Sequence, residues 1–426
     1  MTGIAAEPGA PRRTGVAAHA GITFVGLMTA NVLGYVFYAL VSRTVGVEAY
    51  GTFSSLVAIV LILSAPAQIA QMVVAKLATD LTFDPDRLAG LVRAIDRVTL
   101  TVAAVGGAAL IAVSVPLARF LHLADPLLVT FAGLSLCGAL ALPFLRGVLQ
   151  GTSRFRAFAL SNVAETAAKA IFAPALALAA GVRGAVAGMA LGYALAAVYT
   201  FVAAVPHRRG TPSTFSLRTV ARTSASVAVA VVCINVLLLY DVVLAKRYLD
   251  AHTAGLYGAA ALAARALYAV LAFVPTVLLP QAAVRAARRE RTRWLFLQAF
   301  GVAAAIAAAA IGFYALFPEF VVVAVAGRSF ASGAPFLVPY VYAIAAAALA
   351  NVVATYNVAR GRMAFVVPLA CVLAGEIASI VIRHRGPGDL LQTIVVGHTL
   401  ALLATATSLG GARPPGPEAE LGTATP

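Results

Sequence analysis

Charge is scarce in this chain. Of 426 residues only 11% are Asp, Glu, Lys or Arg, while 62% are hydrophobic, and mean hydropathy is +0.94. A soluble domain carries roughly a quarter charged residues. The 31 basic and 16 acidic side chains are too few to cover a soluble chain of this length, and the same shortage excludes disorder and coiled coil. Cysteine is nearly absent as well. Cys137, Cys233 and Cys371 each lie in an apolar run, with no C-x-x-C and no metal-ligand spacing, so neither a disulfide framework nor a metal site is expected. Catalytic motifs are missing too: no GxSxG, HExxH, P-loop, or GxGxxG in strand–helix context. The acids are too scattered for a glycosidase pair, and no nucleotide domain is present to drive a pump. A non-enzyme without a bound cofactor is the expectation.

What the sequence has is long apolar runs. Twelve, each of about twenty residues, fall at 18–41, 52–75, 94–118, 127–146, 158–180, 184–205, 220–245, 256–280, 294–316, 335–358, 363–382 and 389–409. They predict an all-α integral membrane protein, since a transmembrane β-barrel would show short alternating segments. No connection exceeds 18 residues, which leaves no room for a soluble catalytic domain between spans. The tails, 1–17 and 410–426, are rich in Pro, Gly and Ala. The first run is too long for the core of a cleavable signal, and Arg12-Arg13 reads as a cytoplasmic flank rather than a twin-arginine signal.

Basic residues set the orientation. With the N-terminus inside, 21 of the 31 fall in or beside inner connections, Arg146, Arg154 and Arg156 among them. Eight fall outside: Arg43, Arg119, Arg183, Lys246, Arg247, Arg328, Arg383 and Arg385. This predicts cytoplasmic termini. It also accounts for the net charge of +15 without a nucleic-acid partner.

The basic, turn-rich stretch 206–219 divides the spans into six and six, giving lobes at 18–205 and 220–409. The halves echo each other. Arg43 and Ala49-Tyr50-Gly51 connect the first two spans, and Arg247 and Leu256-Tyr257-Gly258 connect the seventh and eighth. Two halves of the same orientation imply a pseudo-symmetric pair of lobes around a central cavity.

Ionisable residues inside a membrane are costly, about 2.5–3.5 kcal/mol each on insertion scales, and are functional candidates by default. Five stand away from the connections within the spans: Glu165, Lys169, Asp241, Arg265 and Glu376. Glu165 and Lys169, four apart, share a helix face and form either a structural ion pair or a cavity wall. Asp241 and Arg265 lie at compatible depth on adjacent antiparallel spans and are expected to pair, unless Asp241 snorkels to the interface. Glu376 has no basic residue within four positions. It is either a neutral carboxylic acid bonded to Ser379 or a neighbouring helix, or a proton- or sodium-coupling site. His398, midway along the last span, is a second coupling candidate or a satisfied core histidine. Asn31, Gln68, Gln71, Asn162, Asn235 and Asn351 each read singly as glue between helices and as a set as the lining of a wet cavity. Gly184, Gly188 and Gly192 form a packing stripe. Pro66 and Pro275 occupy comparable places in the two halves, where each permits a kink.

Asn31 through Gly51, including Ser42-Arg43-Thr44-Val45-Gly46, resembles the opening of Wzx-type polysaccharide flippases of the multidrug/oligosaccharidyl-lipid/polysaccharide exporter superfamily. Asp241, then Ala254-Gly255-Leu256-Tyr257-Gly258-Ala259-Ala260, Arg265 and Pro280 are similar to that family's span 7 to span 8 signature. The resemblance implies a V-shaped two-lobed bundle in the bacterial inner membrane that moves a diphosphate-linked oligosaccharide outward for polysaccharide biosynthesis. A monomer working beside glycan-assembly proteins is expected. Lys169, Arg265 and Arg43 would then meet the diphosphate. The alanine-rich interior departs from the family pattern, and the branch that flips peptidoglycan precursor carries more spans. Two rivals stand beside this reading. One is a cation-coupled multidrug exporter of the same superfamily, using Asp241 or Glu376 as its ion site. The other is a membrane polymerase or glycosyltransferase. That would need a large outer loop, and 317–334 holds only Glu319 and Arg328.

Overall fold

The computed structural model describes residues 13–208, 218–288 and 292–409. Most of the expected linker and both tails lie outside the described residues, so the proposed domain boundaries there stay expectations. Within them the chain is helical, with no strand. The first lobe contains α1 (Arg13–Asp80), α2 (Pro85–Ala112), α3 (Ser114–Phe120), α4 (Leu127–Gly151) and α5 (Phe155–Ala203). The second contains α6 (Arg218–Tyr248), α7 (Ala251–Leu271), α8 (Phe273–Ala287), α9 (Arg293–Leu316), α10 (Pro318–Ala326), α11 (Ala334–Ala359), α12 (Val366–Ile382) and α13 (Pro387–Ala406).

Nine described helical stretches are long and apolar enough to cross a membrane. Two of them, α1 and α5, fold back and supply two spans each, and the shorter apolar α12 completes twelve. Glycine makes both reversals possible. Gly46 has φ 77° and Gly181 has φ 56°, values that a residue with a Cβ rarely adopts. The folding back of α1 brings the Phe37 and Phe53 rings to 5.7 Å. In α5 the stripe of Gly184, Gly188 and Gly192 lies against Leu176, Phe172 with Ala173, and Lys169 of the same helix's first half. Small residues here let one helix pack on itself.

The proline expectation divides. Pro66 sits in uninterrupted helix. The expected eighth span, 256–280, breaks at Ala272 into α7 and α8, with Pro275 in the first turn of α8. Proline there withholds the amide that would continue α7.

The lobes meet chiefly through α1, which packs on α6 and α7. Contact is closest on the membrane face that carries Gly46 and Asp250. A Cβ on Gly51 would lie 2.9 Å from the Gly255 amide nitrogen, and one on Gly258 would lie 2.7 Å from the Ser54 hydroxyl. The two echoing Tyr-Gly pairs of the sequence therefore face each other across the lobe boundary. Toward the opposite face, called the linker face below, the exposed rings of Phe24 and Phe273 stand 6.2 Å apart.

Candidate functional site

Three constellations of charge lie inside the helices. The first is in the first lobe. Arg146, counted as a loop flank from its place at the end of an apolar run, lies within α4, which continues five residues further to Gly151. It is buried, at 8% exposure. Its guanidinium donates to the Ser161 hydroxyl and carbonyl, both at 2.9 Å, and to Glu165 Oε2 at 2.7 Å. Lys169 holds the other carboxylate oxygen at 2.5 Å. Its ammonium lies over the rings of Tyr193 and Phe37, 4.4 and 5.7 Å from their centroids. Two cations around one anion leave a surplus positive charge, spread over aromatic faces. Lys169 is thus engaged on several sides.

The second lobe holds the other two. Asp241 is 1% exposed. It accepts from the Tyr257 hydroxyl at 3.0 Å, from the Tyr340 hydroxyl, and from Arg265 Nη2 at 3.1 Å. Arg265 Nη2 also meets the Tyr340 oxygen at 3.0 Å. Asp241 does not snorkel; its carboxylate is fully occupied, which leaves it poorly suited to a second role as an ion site. Arg265 is less fully used, since its buried Nε has no hydrogen-bond partner.

Glu376 and His398, 22 residues apart on α12 and α13, come together. Nε2 of His398 is 3.5 Å from Glu376 Oε1. The Ser379 bond does not form: both Glu376 carboxyl oxygens are buried without a hydrogen-bond partner. His398 sits between two backbone carbonyls, with Nδ1 3.0 Å from Ala343 O and Nε2 3.0 Å from Leu237 O. A neutral imidazole has one donor and one acceptor nitrogen, so only the imidazolium satisfies both carbonyls. Glu376 is the acid that faces the ring. Among the described residues no group of three His, Cys, Asp or Glu is placed to hold a metal.

Between the lobes lies a cavity of about 330 Å³. From α1 it takes Asn31, Tyr35, Tyr38 and Ser54, from α5 Thr166, from α6 Leu239, and from α7 Arg265 and Tyr268. Arg265 is the one charged side chain among its lining residues. The structure brings Arg265 and Asn31 to this cavity and not the other candidates. Lys169 and Glu165 stay in the first-lobe cluster with Arg146. Arg43 is elsewhere. Its guanidinium donates to the carbonyls of Ala39, Ala324 and Val325, at 2.8, 2.9 and 3.2 Å, so it caps the C-terminal end of α10 from the opposite lobe. Of the other polar residues expected to line a cavity, Gln71 bonds Gln150, and Asn162 and Asn235 bond carbonyls of their own helices.

No family model matches the chain, and no curated protein matches it. Solved structures do. An inward-facing multidrug resistance transporter of the MATE family and MOP superfamily superposes with a TM-score of 0.73 at 12% identity, covering 90% of this chain and 96% of that one. The lipid II flippase MurJ, in an inward closed conformation, gives 0.68 at 12% identity over 91% and 87%. The eukaryotic MATE transporter AtDTX14 gives 0.60 at 13% over 92% and 93%. The chain shares their fold: two six-helix lobes around a central cavity.

Proposed function

We propose that this chain is a transporter that flips a lipid-linked oligosaccharide, carried on a diphosphate, across the bacterial inner membrane by alternating access between its lobes. Its fold supports transport, being shared with exporters and a flippase. The single observation that carries the choice of substrate is the charge of the interlobe cavity. Its lining holds one cation, Arg265, and no acid. A planar donor fork matches phosphate oxygens. An organic cation would meet Arg265 and no acid among the lining residues. The volume lies in the range of small-ligand sites, about 300–1,000 Å³, which suits a diphosphate head with its lipid left outside. In this reading both termini are cytoplasmic, the linker face is the cytoplasmic one, and the Glu376–His398 pair couples the cycle to a cation gradient.

A deletion strain tests it. Lipid-linked oligosaccharide should accumulate in the cytoplasmic leaflet, as read by leaflet-resolved accessibility of the sugar, and the surface glycan should disappear. Arg265→Ala should fail to restore export, and Arg265→Lys should restore it in part. Normal outward appearance of the saccharide with loss of drug efflux would replace the flippase reading with a multidrug exporter.

A further inference from the structure

Away from the interlobe cavity, α12 and α13 enclose a second space of about 540 Å³. Its walls are graded. Arg383 and Asp389 line its mouth, the end nearest the α12–α13 connection; Ser379, Gln392 and Thr393 come next, buried Glu376 forms the floor midway along beside Gly397, and Cys371 and Leu400 lie beyond. The mouth is on the Gly46 face, since His384 stacks on Tyr248 there with ring centroids 4.0 Å apart.

Glu376 is 3% exposed, and neither carboxyl oxygen has a hydrogen-bond partner. Two glycines shape its surroundings. A Cβ on Gly397 would collide with the Glu376 carboxyl, whereas a Cβ on Gly375, in the other wall, would meet nothing within 4 Å. Gly397 makes room for the acid, and Gly375 leaves the space above it clear.

The neighbours of the carboxyl narrow what it takes. Among the described residues α12 packs mainly on α13 and α6. From α13 come His398 and, at the mouth, Asp389. From α6 come Tyr240 and Asp241, the latter already held by Tyr257, Tyr340 and Arg265. The remaining charge is Arg383 of α12 itself. Hard metal cations gather about six oxygens. This floor offers two carboxyl oxygens faced by an imidazole, which suits a proton.

We infer that the α12–α13 groove is a hydrated path by which protons reach Glu376 from the Gly46 face, separate from the interlobe cavity. A hydronium ion at the floor gives its proton to the Glu376 carboxylate, leaving water and a neutral carboxylic acid; in the reverse step the acid returns the proton to water. Protonation changes the charge that faces His398, whose ring ties α13 to α6 and α11. Protonation therefore acts on the contacts among three helices of the second lobe. The inference rests on the coupled-transport reading and adds the ion and its route.

Accessibility tests the groove without any transport substrate. The full chain is reconstituted in liposomes and treated with a water-soluble, impermeant methanethiosulfonate. Cys371, which is exposed and lines the groove, is followed by peptide mass spectrometry. Cysteines introduced by Val396→Cys and Leu403→Cys are followed in the same way. Both side chains are exposed on α13, but only Val396 lines the groove. Cys371 and the Val396→Cys thiol should react about tenfold faster than the Leu403→Cys thiol, because a thiolate forms in water and not in lipid. Gly375→Leu should protect Cys371 from the reagent. Equal reaction rates at 396 and 403, or a Cys371 rate unchanged by Gly375→Leu, would overturn the path. A hydrated groove in a chain whose deletion spares the surface glycan would instead overturn the flippase reading and leave the path standing.

Discussion

The guanidinium of Arg43 lies 2.9 Å from the Ala324 carbonyl, and this bond joins the two lobes. Beside it, Ser42 donates to the Ala326 carbonyl at 3.0 Å. The last carbonyls of a helix have no intrahelical partner, so α10 ends in acceptors that α1 supplies with donors. Hydrogen bonds to charged groups contribute about 1.5–3 kcal/mol, which corresponds to roughly a ten- to hundredfold bias between two states. Arg43→Ala should shift the lobes toward separation on the Gly46 face. Spin labels at Glu48 and Ser329, both exposed, should show a longer-distance population in double electron–electron resonance. An unchanged distribution would show that the bond holds nothing shut.

Glycine sets how closely the same face closes. At Gly255 an added Cβ would strike the Val47 carbonyl, a backbone atom, while at Gly258 it would meet the Ser54 hydroxyl, which can rotate away. Gly258→Ala should therefore leave transport near the wild-type level. Gly255→Val should reduce it and lengthen the same inter-label distance. Equal effects at the two positions would mean that backbone contact does not limit closure.

The first-lobe triad predicts an order of damage. Glu165→Ala leaves Arg146 and Lys169 buried beside each other. Removing one partner of a buried pair costs about 3–5 kcal/mol, and here two cations lose their counter-ion together. Arg146→Ala leaves Lys169 on Glu165 but frees Ser161, and Lys169→Ala leaves Arg146 in place with its Ser161 bonds. Tm in detergent should fall most for Glu165→Ala, less for Arg146→Ala and least for Lys169→Ala. If Lys169→Ala were the most damaging, the ammonium and not the carboxylate would be the centre of the group.

Asp250 caps α7 outside the membrane. Its carboxylate accepts from the Thr253 amide at 3.0 Å, and this bonding to Thr253 holds its pKa below the usual aspartate value. A lowered folded-state pKa stabilises the fold above the unfolded carboxylate's pKa and loses that contribution as pH falls through the folded value. Asp250→Ala should cost about 1 kcal/mol at neutral pH. The gap between variant and wild type in thermal melts should close in acid. A gap that persists there would point to packing in place of the carboxylate.

Hydropathy made the architecture legible, because twelve apolar runs and short connections admit few alternatives. Asp241 and Arg265 were legible as neighbours, since consecutive antiparallel spans place residues of matching depth together. Three features were hidden. Arg146 sits at the end of an apolar run, and nothing in that run tells that α4 continues through it to bury the charge. Glu376 and His398 lie on consecutive spans too, but a histidine carries no fixed charge that marks it as a partner. The role of Arg43 depends on α10, which starts some 275 residues later and whose exposed carbonyl end no side-chain pattern records.

The burial of Arg146 also bears on how the chain enters the bilayer. Its counter-ion follows 19 residues later, on the next helix. During synthesis α4 is complete before Glu165 emerges, whereas Glu165 and Lys169 arrive together on one turn of α5. A lone arginine at the helix centre opposes insertion by about 2.5–3.5 kcal/mol, less near the end of a helix, and the strong hydropathy of the rest of α4 offsets it. Lateral release of α4 from the insertion machinery is thus favoured once α5 has been made, and the two helices are expected to leave for the lipid as a pair.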